Sequence, residues 1–154
     1  MKNLIIKIDN LAIAASNFIH EAALALILRI SIFYIFWDSA QAKLAGASIA
    51  GVKWQFWKVS ESTVLLFDYE YGLPLIPADI AAYLATFGEF FLSLTILFGF
   101  LTRVSAFGLL MMTAVIQFLV YPELWKQHLI WAAMILYIFK HGAGTLSLDH
   151  LIKR

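Results

Sequence analysis

Apolar residues along this chain gather into four stretches, at 22–40, 80–101, 104–121 and 124–139, separated by short polar or aromatic breaks. A bilayer core takes roughly 20 residues of helix, so each of the first three is long enough to cross one. In the fourth, only 129–139 is wholly apolar. Its first turn, with Lys126 and Gln127, must then sit at the interface or inside a bundle. The breaks carry their own chemistry. Pro77 and Asp79 suit a helix start, because proline lacks the amide that would go unpaired there and aspartate complements the helix dipole. Only Thr102 and Arg103 part the second stretch from the third, which predicts a tight helical hairpin. Pro122 ends the third, and Gly142 and Gly144 close the fourth.

Before the first span, Leu4, Ile8, Leu11, Ala15 and Phe18 recur at three- and four-residue steps, with Asn3, Lys7, Asn10 and Asn17 between them. That is the period of an amphipathic helix, lying in the interface or, the simpler reading, leading into one long first helix. Lys2 and Lys7 could head a signal peptide, but Asp9 and Asn10 interrupt the apolar run it needs. Between the first two spans, 46–77 mixes Trp54, Phe56, Trp57, Phe67, Tyr69 and Tyr71 with Lys53, Lys58, Glu61, Asp68 and Glu70. Rings beside charges suit the membrane–water boundary. The expected fold is an all-α membrane protein: a four-transmembrane-helix bundle, an N-terminal amphipathic segment and an aromatic extracytoplasmic loop, in one domain of residues 1–154.

Composition agrees. The chain is 62% hydrophobic and 14% charged, with a mean hydropathy of +0.84. A soluble domain so poor in charge would expose large apolar patches. The net charge of +1 and the lack of a Lys/Arg stripe give nucleic acid no footing. Without cysteine there is no disulfide, thiol exchange, iron–sulfur ligation or thiolate zinc site. His20 and His128 fall at opposite faces, so an intrinsic haem is not expected, and no metal site is. With four spans both termini share one side, together with Lys2, Lys7, Arg103, Lys140, Lys153 and Arg154. Lys43, Lys53, Lys58 and Lys126 take the other. The positive-inside rule then favours cytoplasmic termini.

Two ionisable residues stand within spans, Arg29 in the first and Glu89 in the second. A charge at that depth costs at least about 2.5–3.5 kcal/mol and needs a partner or a task. The spans run antiparallel, and a carboxylate matches the guanidinium fork. An Arg29–Glu89 ion pair is therefore expected, either locking two helices in register or forming a polar ligand site. Asp38, Lys43, Gln117 and His128 gather toward the outer ends of spans and are candidate lining for a cavity around it. Gly88, Gly99, Ser93, Thr95, Ser105 and Gly108 suit close helix packing, and Met111 and Met112 suit core filling.

An intramembrane arginine, FWDSAQAKL, FGEFFLSLTILFGFLTRVSAFGLLMM, His128 with Trp131, and GAGTLSLDHL follow in that order. From residue 22 to 151 the chain resembles the DoxX family of four-span bacterial membrane proteins. FDYEYGLPLIPADIAA is similar to a branch encoded beside enzymes that modify metal-binding peptides. Where many members carry two glycines after the glutamate, this chain has Phe90 and Phe91. The resemblance implies the bacterial inner membrane. It also implies kinship with subunits of thiosulfate:quinone oxidoreductases and with membrane partners in oxidative-stress complexes. The expected role is an accessory, non-catalytic subunit that supports a redox or metal-handling protein partner in the bilayer, alone or as a homo-oligomer. The alternative is a quinone-binding or quinone-reducing component in which Arg29 and Glu89 hold the head group; no intrinsic cofactor is expected, and quinone is the candidate ligand. A small carrier finds little support, since neither broken helices nor repeats are visible.

Overall fold

The computed structural model describes Lys2–Lys153. Met1 and Arg154 lie outside the described residues, as do the side chains of Asn3 and Leu4, which belong to the N-terminal periodicity. Helix α1 (Lys2–Ser16) is followed by a turn and then by α2 (Glu21–Lys43). The break corrects the expectation of one long first helix. Asn17–Ile19 turns back on Ile13, Ala15 and Ser16 through backbone bonds. His20 then accepts from the Ala22 amide and caps a fresh start.

The excursion after α2 is ordered by the carbonyls that α2 leaves free at its end. Strands β1 (Ser48–Ile49) and β2 (Val52–Lys53) form a two-stranded hairpin. Its turn residues Ala50 and Gly51 both take positive φ, the geometry of a tight hairpin turn. Lys53 donates to the carbonyls of Gln41 and Leu44 through Nζ, and Thr63 Oγ1 donates to that of Lys43. Helix α3 (Glu61–Leu66), capped by Ser60, runs into a π-helical turn, Phe67–Tyr71. Aromatic packing pins the excursion to the bundle: Phe56 lies 5.3, 5.7 and 5.0 Å from Phe87, Phe90 and Phe91. The two phenylalanines beside Glu89 thus anchor this segment.

Helices α4 (Ala78–Phe98) and α5 (Thr102–Val115, continued by a π-helical turn Ile116–Val120) make the hairpin expected from Thr102-Arg103. Small residues bring them together. A Cβ on Gly108 would stand 2.7 Å from Leu92 Cδ1, and one on Gly88 3.0 Å from Met112 Sδ. Thr95 and Ser105 share a hydroxyl hydrogen bond of 2.7 Å across the pair. After a short 3-10 turn at Pro122–Leu124, α6 (Trp125–His141) packs against α5 and α2, and α7 (Leu148–Ile152) closes the chain. Three helices, Glu21–Lys43, Ala78–Phe98 and Thr102–Val120, are long and apolar enough to cross a membrane. At 17 residues, α6 is shorter. The central core joins Ile32 and Phe36 of α2, Ile96 of α4, Ala106 and Leu109 of α5, and Ile135 and Ile138 of α6.

Candidate functional site

Arg29 and Glu89 do not meet. Each is almost wholly buried, at 2% and 3% exposure, and each has its own partners. The register of α2 against α4 sets Arg29 opposite the C-terminal end of α4. Glu89 lies seven residues earlier, roughly 10 Å along the axis. Arg29 Nε donates to the Ile96 carbonyl at 3.0 Å and Nη2 to that of Leu97 at 2.6 Å. Nη1 donates to Ala143 and Leu146 at 2.8 and 2.7 Å. A cation is thus placed on the carbonyls at the negative end of the α4 dipole and on two carbonyls of the loop that follows α6.

The same corner is tied by the C-terminal segment. Gly99 ends α4 at φ 65°, with bonds from its amide to Ile96 O and from Phe100 N to Thr95 O. A Cβ there would meet Ser147 Cβ at 2.5 Å and Arg29 Cζ at 3.1 Å. Helix α5 opens without a local side-chain cap. Asp149 supplies one from a distance, accepting from the amides of Leu101 and Thr102, both at 2.9 Å. Burial works against ionisation of Asp149. The donors at Thr102 and Leu101 outweigh it, Lys153 adds to them, and the carboxyl is held below its usual range. The GAGTLSLD run is therefore a staple that joins α2, α4 and α5.

Glu89 belongs to a second cluster. Lys43 Nζ lies 2.8 Å from its Oε2 and 3.0 Å from its Oε1. Side chains on a helix lean toward its N-terminus. Lys43 accordingly folds back one turn and donates to Ser39 Oγ at 2.6 Å, which donates to Glu89 Oε1 at 3.0 Å. Lys43, a candidate for the cavity lining, does line it and also takes the place beside Glu89 that the sequence assigns to Arg29.

The cluster forms one wall of a cavity of about 470 Å³ between α2, α4, α5 and α6. Most of its lining is apolar, including Ile35, Phe36, Ala85, Met112, Val115 and Trp131. Ser39, Lys43, Glu89, Gln127 and His128 contribute polar groups. Tyr71 and Tyr121 line it where the two π-helical turns face each other, their rings 5.6 Å apart. Tyr121 donates to Glu70 across this gap, and that bond, with burial, raises its phenol above the ordinary range. His128 also borders a second cavity of about 350 Å³ that Gln117 lines. The two side chains join, His128 Nδ1 to Gln117 Oε1, at 2.8 Å. Asp38 faces outward and lines neither cavity. Ser39 was not foreseen. The signal for it was its i,i+4 spacing to Lys43 on the helix face.

A small helical membrane protein with a ligand-sized, mostly apolar chamber and a buried ion pair in its wall is the class this geometry defines. The DoxX family model matches residues 24–122, and the chain belongs to the DoxX family. An uncharacterized protein of Haemophilus influenzae is 33% identical over an alignment of 94 residues that covers 56% of this chain and 62% of the relative. The matched region thus spans less than two thirds of that relative. No solved structure matches the chain.

Proposed function

We propose that this chain is a quinone-binding component of the bacterial inner membrane that acts as a non-catalytic accessory to a redox or metal-handling partner. The observation that carries the reading is the cavity. Lipophilic ligands occupy concave, largely apolar sites with a few placed polar groups, and Lys43, Ser39, Glu89 and His128 set a few polar groups in an otherwise apolar lining, which suits a ligand with a polar head and an apolar tail such as a quinone. A volume of about 470 Å³ accommodates a ring with the start of its tail. The accessory role follows from the residue inventory. A chain without cysteine has no thiol, disulfide or thiolate-held metal of its own to take electrons from a quinol. That step falls to a partner.

On this reading α6 is the fourth span, shortened because its first turn sits at the interface, and both termini are cytoplasmic. Folding of Lys43 into the bundle supports that orientation, since it removes one cation from the opposing side. The test is mass spectrometry of the protein purified from native membranes in mild detergent. A quinone retained near one per chain is expected, together with a co-purifying protein. Ala85→Trp, which fills the cavity, should abolish the retained quinone. A wild-type preparation that carries only phospholipid contradicts the proposal.

A further inference from the structure

The hydrogen bonds around His128 fix which of its ring nitrogens is free. Gln117 Nε2 donates to the Pro122 carbonyl at 2.9 Å. A carbonyl can only accept, so the amide nitrogen must face it, and Gln117 Oε1 must face His128. Oε1 is itself only an acceptor. His128 Nδ1, 2.8 Å away, therefore carries the proton and donates. An uncharged imidazole has one donor nitrogen and one acceptor, which makes Nε2 the acceptor. Nε2 has no hydrogen-bond partner among the described residues, although His128 is only 3% exposed and lines the cavity. A charged ring would set a second cation in a chamber whose one described carboxylate, Glu89, is already paired with Lys43. Trp131, its centroid 5.0 Å from the imidazole, limits the ring's rotation.

An acceptor that no protein donor occupies, on a residue that lines the cavity, can take a hydrogen bond from a ligand. A quinone offers two carbonyls, which accept only, whereas a hydroquinone offers two hydroxyls. Resting on the quinone reading, we infer that His128 Nε2 accepts a hydrogen bond from a ligand hydroxyl, so that the cavity prefers the hydroquinone to the quinone. Gln117 is the positioning residue, because it holds the tautomer that presents Nε2. The chain is then a holder of reduced ligand, and the partner reaction that draws on it consumes hydroquinone.

The test is anaerobic equilibrium binding of duroquinol, its dimethyl ether and duroquinone to the full chain in nanodiscs. Wild type should bind duroquinol more tightly than either of the others by roughly three- to tenfold, the scale of one net hydrogen bond. Gln117→Leu frees the tautomer, so that Nε2 can also donate to a quinone carbonyl, and should bring duroquinol to within about twofold of duroquinone. The ether comparison needs no variant and tests the preference for a ligand hydroxyl even if Gln117→Leu fails to fold. Equal binding of all three by wild type overturns the inference and leaves the quinone reading standing. An unchanged preference in folded Gln117→Leu assigns the hydroxyl to another acceptor, such as Glu89, and also overturns it. Failure of every ligand to bind sinks both.

Discussion

Lys43 reaches Glu89 from a full helical turn beyond the carboxylate's own level, bridging to it through Ser39 and closing to 2.8 Å inside the bundle. A buried pair of this kind adds little net stability against apolar residues of like size, yet loss of one partner strands a charge. Lys43→Met alone should therefore destabilise the protein by about 3–5 kcal/mol. Lys43→Met with Glu89→Met should recover most of that loss while retained ligand falls. Unfolding in mild detergent measures the first effect, and mass spectrometry of bound lipids the second. Recovery of stability with undiminished ligand would make the pair purely structural.

Arg29 serves the helix ends instead. Lysine keeps the charge but not the planar fork that reaches four carbonyls. Arg29→Lys should cost at least about 2 kcal/mol, the loss of one or more charge-assisted bonds. Arg29 and Glu89 share no partner, so their substitutions should be additive within about 0.5 kcal/mol in a double-mutant cycle. A coupling of several kcal/mol would restore the direct pair and refute the register described above.

Asp149 caps α5 as a carboxylate whose folded-state pKa is depressed. A depressed folded pKa means that the unfolded chain binds the proton first as pH falls, so the stabilisation is complete above about pH 4 and drains away below it. Asp149→Asn keeps one acceptor oxygen and loses the other, which should cost about 1–2 kcal/mol at neutral pH, the scale of one hydrogen bond to a charged group. It should also flatten the acid limb of a stability–pH curve. Parallel acid limbs for the two proteins would remove Asp149 from this role.

Hydropathy and breakers made much of this architecture legible. The α4–α5 hairpin, the glycine stop after α6 and the small-residue contact at Gly88 and Gly108 all follow from local sequence. The partner of Glu89 did not. Counting residues set Arg29 and Glu89 both near mid-span, but the true offset of α2 against α4 depends on Arg29 reaching the end of α4 and on Ala143 and Leu146 arriving from more than a hundred residues away. Geometry of the fork favoured arginine on paper, whereas the longer reach of a lysine leaning back along its own helix decided the contact. Asp149 was hidden for a similar reason. What marked it was a deficit elsewhere, since Leu101 cannot cap α5 with its side chain. The break of the first helix at Asn17–His20 is the reverse case: its turn carries the apolar Phe18 and Ile19, so it leaves little gap in the periodic run.

Titration of duroquinone against the intrinsic fluorescence of the nanodisc-embedded protein tests the central claim most directly. Trp131 lines the cavity and is one of five tryptophans, and quinones quench indole emission on close approach. The account predicts saturable quenching at one ligand per chain, carried by Trp131 and absent from Trp131→Phe. Quenching that rises without saturation and is the same in Trp131→Phe would mean that the quinone stays in the surrounding lipid and that the cavity does not hold it.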